Sequence, residues 1–194
     1  LRRKLQRCLS RDKFSDKSGN YHIRSLYFED ANNTALSEKQ AGVLSRKKYR
    51  IRIYNLENSI IKLEKKAKEG QFISKQSAQI TLNEYNKIIN NDIEFLRNSN
   101  DVLLQEFYYD KLSNCYTPVV VVDYIREAYV LGYSNIRITF DKEHKTGLNR
   151  IDIFNDIPMI KAIEEPMMIL EIKYDHFLPD FLRNILQIDS SQKY

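Results

Sequence analysis

The chain has 194 residues, with 31 Lys plus Arg against 26 Asp plus Glu, a net charge of +5, 42% hydrophobic residues, and only 5 Gly and 4 Pro. This balance excludes disordered, collagen-like and low-complexity sequence and predicts a single domain over residues 1–194 with one sizeable core, or at most two small domains. No run approaches 18 apolar residues, so no membrane span is expected, and two cysteines, Cys8 and Cys115, exclude a disulfide-stapled secreted domain.

The elements follow in chain order. Leu1, Leu5, Cys8 and Leu9 have helical spacing, which predicts an amphipathic helix over residues 1–13 with Cys8 buried. Tyr21 to Glu29, rich in aromatic and branched residues, reads as a strand, and residues 30–40 as a turn with some helix. Gly42–Asn55 and Ile60–Lys68 alternate and form a hairpin closed by residues 55–59. Thr81 and Glu84 fit a capping box before a helix that faces inward with Tyr85, Ile88, Ile89, Ile93 and Leu96. A second helix spans residues 101–112. Strands follow at Pro118–Leu131 and Asn135–Asp141, a polar loop or a segment with a short helix at 142–158, a strand at Met167–Tyr174, and a last helix beginning at Pro179. The class is α+β.

The modest total charge conceals a concentration. Between Arg46 and Lys75 lie ten basic and three acidic residues, so that segment carries +7 and the remainder −2. Side chains two apart on a strand share a face. One face therefore collects Arg46, Lys48, Arg50 and Arg52, and the next strand adds Lys62, Glu64, Lys66 and Lys68. Arg137, Thr139 and Asp141, and later Glu171, Lys173 and Asp175, likewise oppose apolar rows. An open sheet with a solvated charged face is the plain explanation. However, like charges ~7 Å apart on one face repel, which favours instead a closed antiparallel β-barrel with a polar lumen and helices on its apolar outer face. Such a lumen suits a polyanion. Tyr54 is the only ring of matching parity on the basic strands, so a ligand of phosphates without bases is expected and no nucleic acid. No Walker-type GxxxxGK[ST] occurs. Glu64 is expected to pair with Lys62 or Lys66 rather than hold a metal. His22 is a lone candidate for the lumen.

Six blocks in order, YHIRSLYFE (Tyr21–Glu29), GVLSRKKYRIRIY (Gly42–Tyr54), LEKKAK (Leu63–Lys68), PVVVVDYIREAY (Pro118–Tyr129), NIRITFD (Asn135–Asp141) and ILEIKYD (Ile169–Asp175), resemble the VTC domain. This is the polyphosphate polymerase domain of the triphosphate tunnel metalloenzyme, or CYTH-like, superfamily, and the likeness is to the bacterial stand-alone type. The resemblance implies a tunnel lined by Lys and Arg, with phosphate-binding and catalytic roles for Arg50, Arg52, Lys66, Arg126 and Arg137. It implies further phosphate contacts at Lys75, Lys173 and Lys193. Glu171 matches the family's metal-holding glutamate, for Mn2+ or Mg2+. The implied reaction transfers the γ-phosphate of ATP to a growing polyphosphate chain. A tripolyphosphatase or nucleoside triphosphatase with the same clamp, or a non-catalytic polyphosphate-binding module, are the alternatives. The family's first strand has no counterpart before the initial helix and the final motif reads SSQKY, so further sequence is expected upstream of Leu1; a cytoplasmic location follows from the absence of targeting signals.

Overall fold

A computed structural model describes residues 1–148, 150–164 and 166–187. The class is α+β. In order along the chain are α1 (Arg2–Cys8), β1 (Ser10–Arg11), β2 (Asn20–Glu29), α2 (Thr34–Gln40), β3 (Ser45–Tyr54), β4 (Glu57–Glu69) and β5 (Phe72–Ile80). Then come α3 (Leu82–Ile89), α4 (Glu94–Arg97), α5 (Val102–Asn114), β6 (Thr117–Leu131), β7 (Ile136–Gly147), β8 (Met159–Lys161), β9 (Ile169–Lys173) and α6 (Asp180–Ile185). Among the described residues no helix is long and apolar enough to cross a membrane.

The strands are hydrogen-bonded in the order β5-β4-β3-β2-β6-β7-β8, with β1 also on β6 and β9 also on β7. Among the described residues the order ends at β5 and β8, so hydrogen bonds there do not close the barrel that the charge pattern suggested. Both end strands are weak edges: β5 is exposed from Phe72 to Ser77, and β8 has three residues. The chain divides into two compact units.

The larger unit comprises residues 22–124 and 144–162. Its core is the apolar parity of β3 and β4, Tyr49, Ile51, Ile53, Ile61 and Leu63, together with Leu26 and Phe28 of β2. Helices α3 and α5 cover that face with Tyr85, Ile88, Leu103 and Phe107, the Phe107 ring meeting Phe28 edge-on at 5.2 Å. The capping box is formed: Thr81 accepts from the Glu84 amide, and the Glu84 carboxylate accepts from Thr81 N–H at 2.7 Å. Asn55 and Leu56, both with positive φ, turn the β3–β4 hairpin, and a bulge at Ile53/Tyr54 adjusts its register. Strand β5 carries little alternation to betray it: SKQS (residues 74–77) is polar on both faces, and only Ala78 and Ile80 are buried. Strand β7 likewise runs on into the expected loop, to Gly147, and pairs with β8.

The smaller unit comprises residues 1–21, 125–143 and 163 onward. Its core joins Leu5 and Leu9 to Tyr129, Ile136, Ile138, Phe140 and Leu182. Cys8 is exposed, contrary to the expectation from spacing. The helix ends there and Leu9 is already extended (φ −127°, ψ 150°), so one helical phase does not place both residues.

Candidate functional site

The register of the larger unit converts the charged parity into a surface. Arg52 lies opposite Ser25 and Lys62, Arg50 opposite Tyr27 and Glu64, Lys48 opposite Lys66, and Lys66 opposite Lys75. The basic residues of the other parity are neutralised by α5. Lys47 donates to both oxygens of Asp110 at 2.6 and 2.7 Å, and Lys65 pairs with Glu106. The excess positive charge is thereby left on one face.

Glu64 is buried at the centre of that face, 2% exposed. Arg50 donates to its Oε2 through Nε and Nη2 at 2.7 and 2.6 Å, Lys75 Nζ reaches Oε1 at 2.7 Å, and Arg52 Nη1 stands 3.8 Å from Oε2. The ion pair expected with Lys62 or Lys66 is thus made with other cations, because Arg50 lies directly opposite Glu64 and the long Lys75 side chain reaches it across the diagonal from β5. The arginines are also fastened by neutral groups. Arg50 Nη1 donates to the Tyr27 hydroxyl at 2.9 Å, and Arg52 donates to Ser25 Oγ at 3.1 Å and to the Tyr124 hydroxyl at 3.2 Å. Tyr124 in turn stacks on His144, 5.3 Å between centroids.

The titration of these groups reflects crowding. Burial works to raise the pKa of Glu64, yet the charges of Arg52 and Arg50 and the Lys75 bond hold it at about 2. Lys48 is depressed by burial and by Lys39, Lys66 and Arg50; Lys75 is depressed by burial and by Arg52 and Arg50 despite Glu64. A cavity of about 130 Å3 opens among Lys39, Arg46, Lys48, Lys66 and Lys68. A larger depression of about 930 Å3 in the same unit is lined by α3 and residues 56–59 and 151–155 and has no Lys or Arg, so the charge argues for the smaller one as an anion site.

His22 does not serve this face. It contacts Asp123, which Arg24 also grips at 2.8–2.9 Å while donating to the Asn155 carbonyl. Burial opposes ionisation of Asp123, but these bonds hold its carboxyl below the usual range. This buried cluster fastens residues 153–155 to the sheet.

In the smaller unit, β7 and β9 pair Arg137 with Lys173 and Thr139 with Glu171 in register. Arg126 forms a fork on Asp141, 2.6 Å at both contacts, and its Nη2 lies 3.7 Å from Glu171. Lys173 is 3.2 Å from Glu171, and Arg137 reaches Asp12 at 2.6 Å and the Tyr21 hydroxyl at 2.8 Å.

A family model for the VTC domain matches residues 1–194. The chain belongs to the VTC domain family. No curated protein matches it. A candidate adenylate cyclase from Bacillus halodurans shares the fold, with a TM-score of 0.51 at 10% identity over 92% of this chain and 82% of that one. A candidate adenylyl cyclase from Hippeastrum, described with a dominant triphosphatase activity, gives a TM-score of 0.46 at 14% identity, over 87% and 71% of the two chains.

The VTC domain thus presents Arg50, Arg52, Lys66 and Lys75 together in its larger unit, and Arg126, Arg137, Glu171 and Lys173 together in its smaller one. Lys193 lies outside the described residues. Sequence reasoning put Lys48 on the basic face but missed Lys39 as a cavity-lining group, and missed Tyr27 and Tyr124, whose hydroxyls reach that face. Among the described residues no three His, Cys, Asp or Glu side chains assemble into a metal cage. The chemistry at Glu171 nonetheless fits a hard divalent cation. Its carboxylate stands opposite Thr139, a buried residue whose hydroxyl oxygen makes no hydrogen bond, and a Mg2+-type ion needs only one or two carboxylates when phosphate oxygens complete its shell.

Proposed function

We propose that this VTC domain binds phosphate chains and extends them, transferring the γ-phosphate of ATP to the end of inorganic polyphosphate. The observation that carries the reading is the convergence of Arg50, Arg52 and Lys75 on one buried carboxylate, beside Lys48 and Lys66, on a strand face whose charge the helices leave uncompensated. Phosphoryl transfer asks a protein mainly for positioning and charge stabilisation. Arg50 and Arg52 offer guanidinium forks that match phosphate oxygens, and Lys48, Lys66 and Lys75 act as point charges along the chain. Hydroxyls of Tyr27, Ser25 and Tyr124 hold the two forks in place before a ligand arrives. Arg126, Arg137 and Lys173 would supply further contacts to phosphate. Glu171, with the Thr139 hydroxyl beside it, would hold Mn2+ or Mg2+, which when bound neutralises charge on phosphate oxygens.

The same clamp serves hydrolysis when water rather than the chain end is the nucleophile. Incubation with ATP and Mn2+, and separately with tripolyphosphate, distinguishes the reactions by polyphosphate length and released phosphate. Chain growth is the expected result. Phosphate release from tripolyphosphate without growth would replace the polymerase by a triphosphatase, and tight polyphosphate binding without turnover would leave a binding module.

A further inference from the structure

Glu64 is out of place in a site built to attract anions. A structural ion pair needs one cation, whereas this carboxylate engages Arg50 and Lys75 and stands within reach of Arg52. Nor do the arginines rely on it alone for position. Arg50 is also held by Tyr27, and Arg52 by Ser25 and Tyr124, all neutral partners that leave the guanidinium charge available. What Glu64 adds is therefore negative charge and two oxygens at the point where the cations converge. Its contacts with Arg50 through Nε and Nη2 are those a phosphate oxygen would make. Three cations against one carboxylate still leave the cluster positive, so an arriving anion is attracted, but less strongly than it would be without Glu64.

We propose that Glu64 is a resident counter-anion, occupying the convergence point of Arg50, Arg52 and Lys75 in the ligand-free chain and weakening their grip on a phosphate chain so that the chain can advance and leave. The inference rests on the reading of this face as a polyphosphate site. A site that must pass a charged chain along itself works only if each hold is strong enough to capture and weak enough to release, the same requirement that governs ion conduction. Glu64 acts through the cations around it and is a positioning residue rather than a catalytic one.

The test measures equilibrium binding and dissociation of tripolyphosphate, with no metal present, for the unmodified chain and for Glu64→Gln, Glu64→Asp and Ser77→Asp. Removing the charge in Glu64→Gln is expected to tighten binding about ten-fold and slow dissociation by a similar factor. Salt should also weaken the Gln variant more steeply. Glu64→Asp, which retains the charge, should restore affinity to within about two-fold of the unmodified chain. Ser77 lies opposite Glu64 on the exposed part of β5, so Ser77→Asp adds a second carboxylate without disturbing the core and should weaken binding several-fold. It keeps the inference testable should Glu64→Gln not fold. In turnover, Glu64→Gln should lower KM and kcat together. A Gln variant that binds more weakly and releases faster marks Glu64 as a structural strut and overturns the proposal, as does a Ser77→Asp variant with unchanged affinity. Absence of tripolyphosphate binding to the unmodified chain would instead remove the polyphosphate reading itself, and this inference with it.

Discussion

Protonation of Glu64 gives the electrostatics of the larger unit a measurable size. Burial works to raise its pKa, but the charges of Arg52 and Arg50 and the Lys75 bond bring it to about 2, against 4.5 for an unperturbed glutamate. In acid the unfolded chain takes up this proton before the folded chain does. The stabilisation is therefore complete above pH 4.5, declines as the pH falls below that value, and is exhausted near pH 2. The separation corresponds to about 3 kcal/mol, of which about 2 are lost by about pH 3. The charged groups nearest Glu64 are Arg50 and Arg52 on β3, Lys75 on β5, and Lys62 and Lys66 along β4 itself. All of them are basic side chains, so the acid transition followed here is that of the Glu64 carboxylate. The assay is urea unfolding of the unmodified chain and Glu64→Gln at constant ionic strength, from about pH 7 down to about pH 3. The stability difference between them should shrink by about 2 kcal/mol over that range. A difference constant to within about 0.5 kcal/mol would show that Glu64 gains nothing from its cations and would refute the argument.

Three further outcomes are expected. Arg52→Ala removes charge-assisted bonds worth about 1.5–3 kcal/mol, so tripolyphosphate affinity measured by calorimetry should fall at least ten-fold. Glu171→Ala should abolish divalent-cation-dependent turnover while leaving metal-free tripolyphosphate binding intact or slightly stronger, since an anion beside Lys173 and Arg126 is lost; retention of full activity would remove the metal assignment. Thr81→Ala breaks the capping box of α3, at a cost of about 1 kcal/mol and a Tm lower by about 2–4 °C in a thermal melt, without change in phosphate binding.

How much of this was legible in the sequence depends on how each strand meets solvent. Strands β3 and β4 bury one face and charge the other, so their alternation disclosed both the core and the basic row. The capping box was legible because Thr81 and Glu84 satisfy each other locally. Strand β5 was not legible, because its polar residues fall on both parities and its one informative pair, Ala78 and Ile80, lies at the end. Tyr27 and Tyr124 sit in β2 and β6, where several consecutive residues are buried and parity carries no information about which way a ring points. The partners of Glu64 depend on register. That register is set by the Asn55–Leu56 turn and the bulge beside it, and a displacement of one residue would have moved every charge to the opposite face.

The two tyrosines also change why base stacking is disfavoured. The sequence argument was a scarcity of rings; in the structure rings are present but committed, Tyr27 to Arg50 and Tyr124 to Arg52 and His144. The choice of a phenol as fastener has a consequence for charge. A carboxylate that fixes an arginine also cancels it, as Asp141 does for Arg126 and Asp12 for Arg137 in the smaller unit. A neutral hydroxyl fixes the guanidinium and leaves its charge for a ligand. Phosphate arriving at Arg126 must compete with a two-pronged contact to Asp141, and at Arg50 with a similar one to Glu64. Arg52, by contrast, is fastened by phenol and serine, and Arg50, Arg52 and Lys75 together share the single carboxylate of Glu64. Free positive charge is therefore concentrated in the larger unit, and substitutions there should govern affinity for a phosphate chain more strongly than substitutions of Arg126 or Arg137.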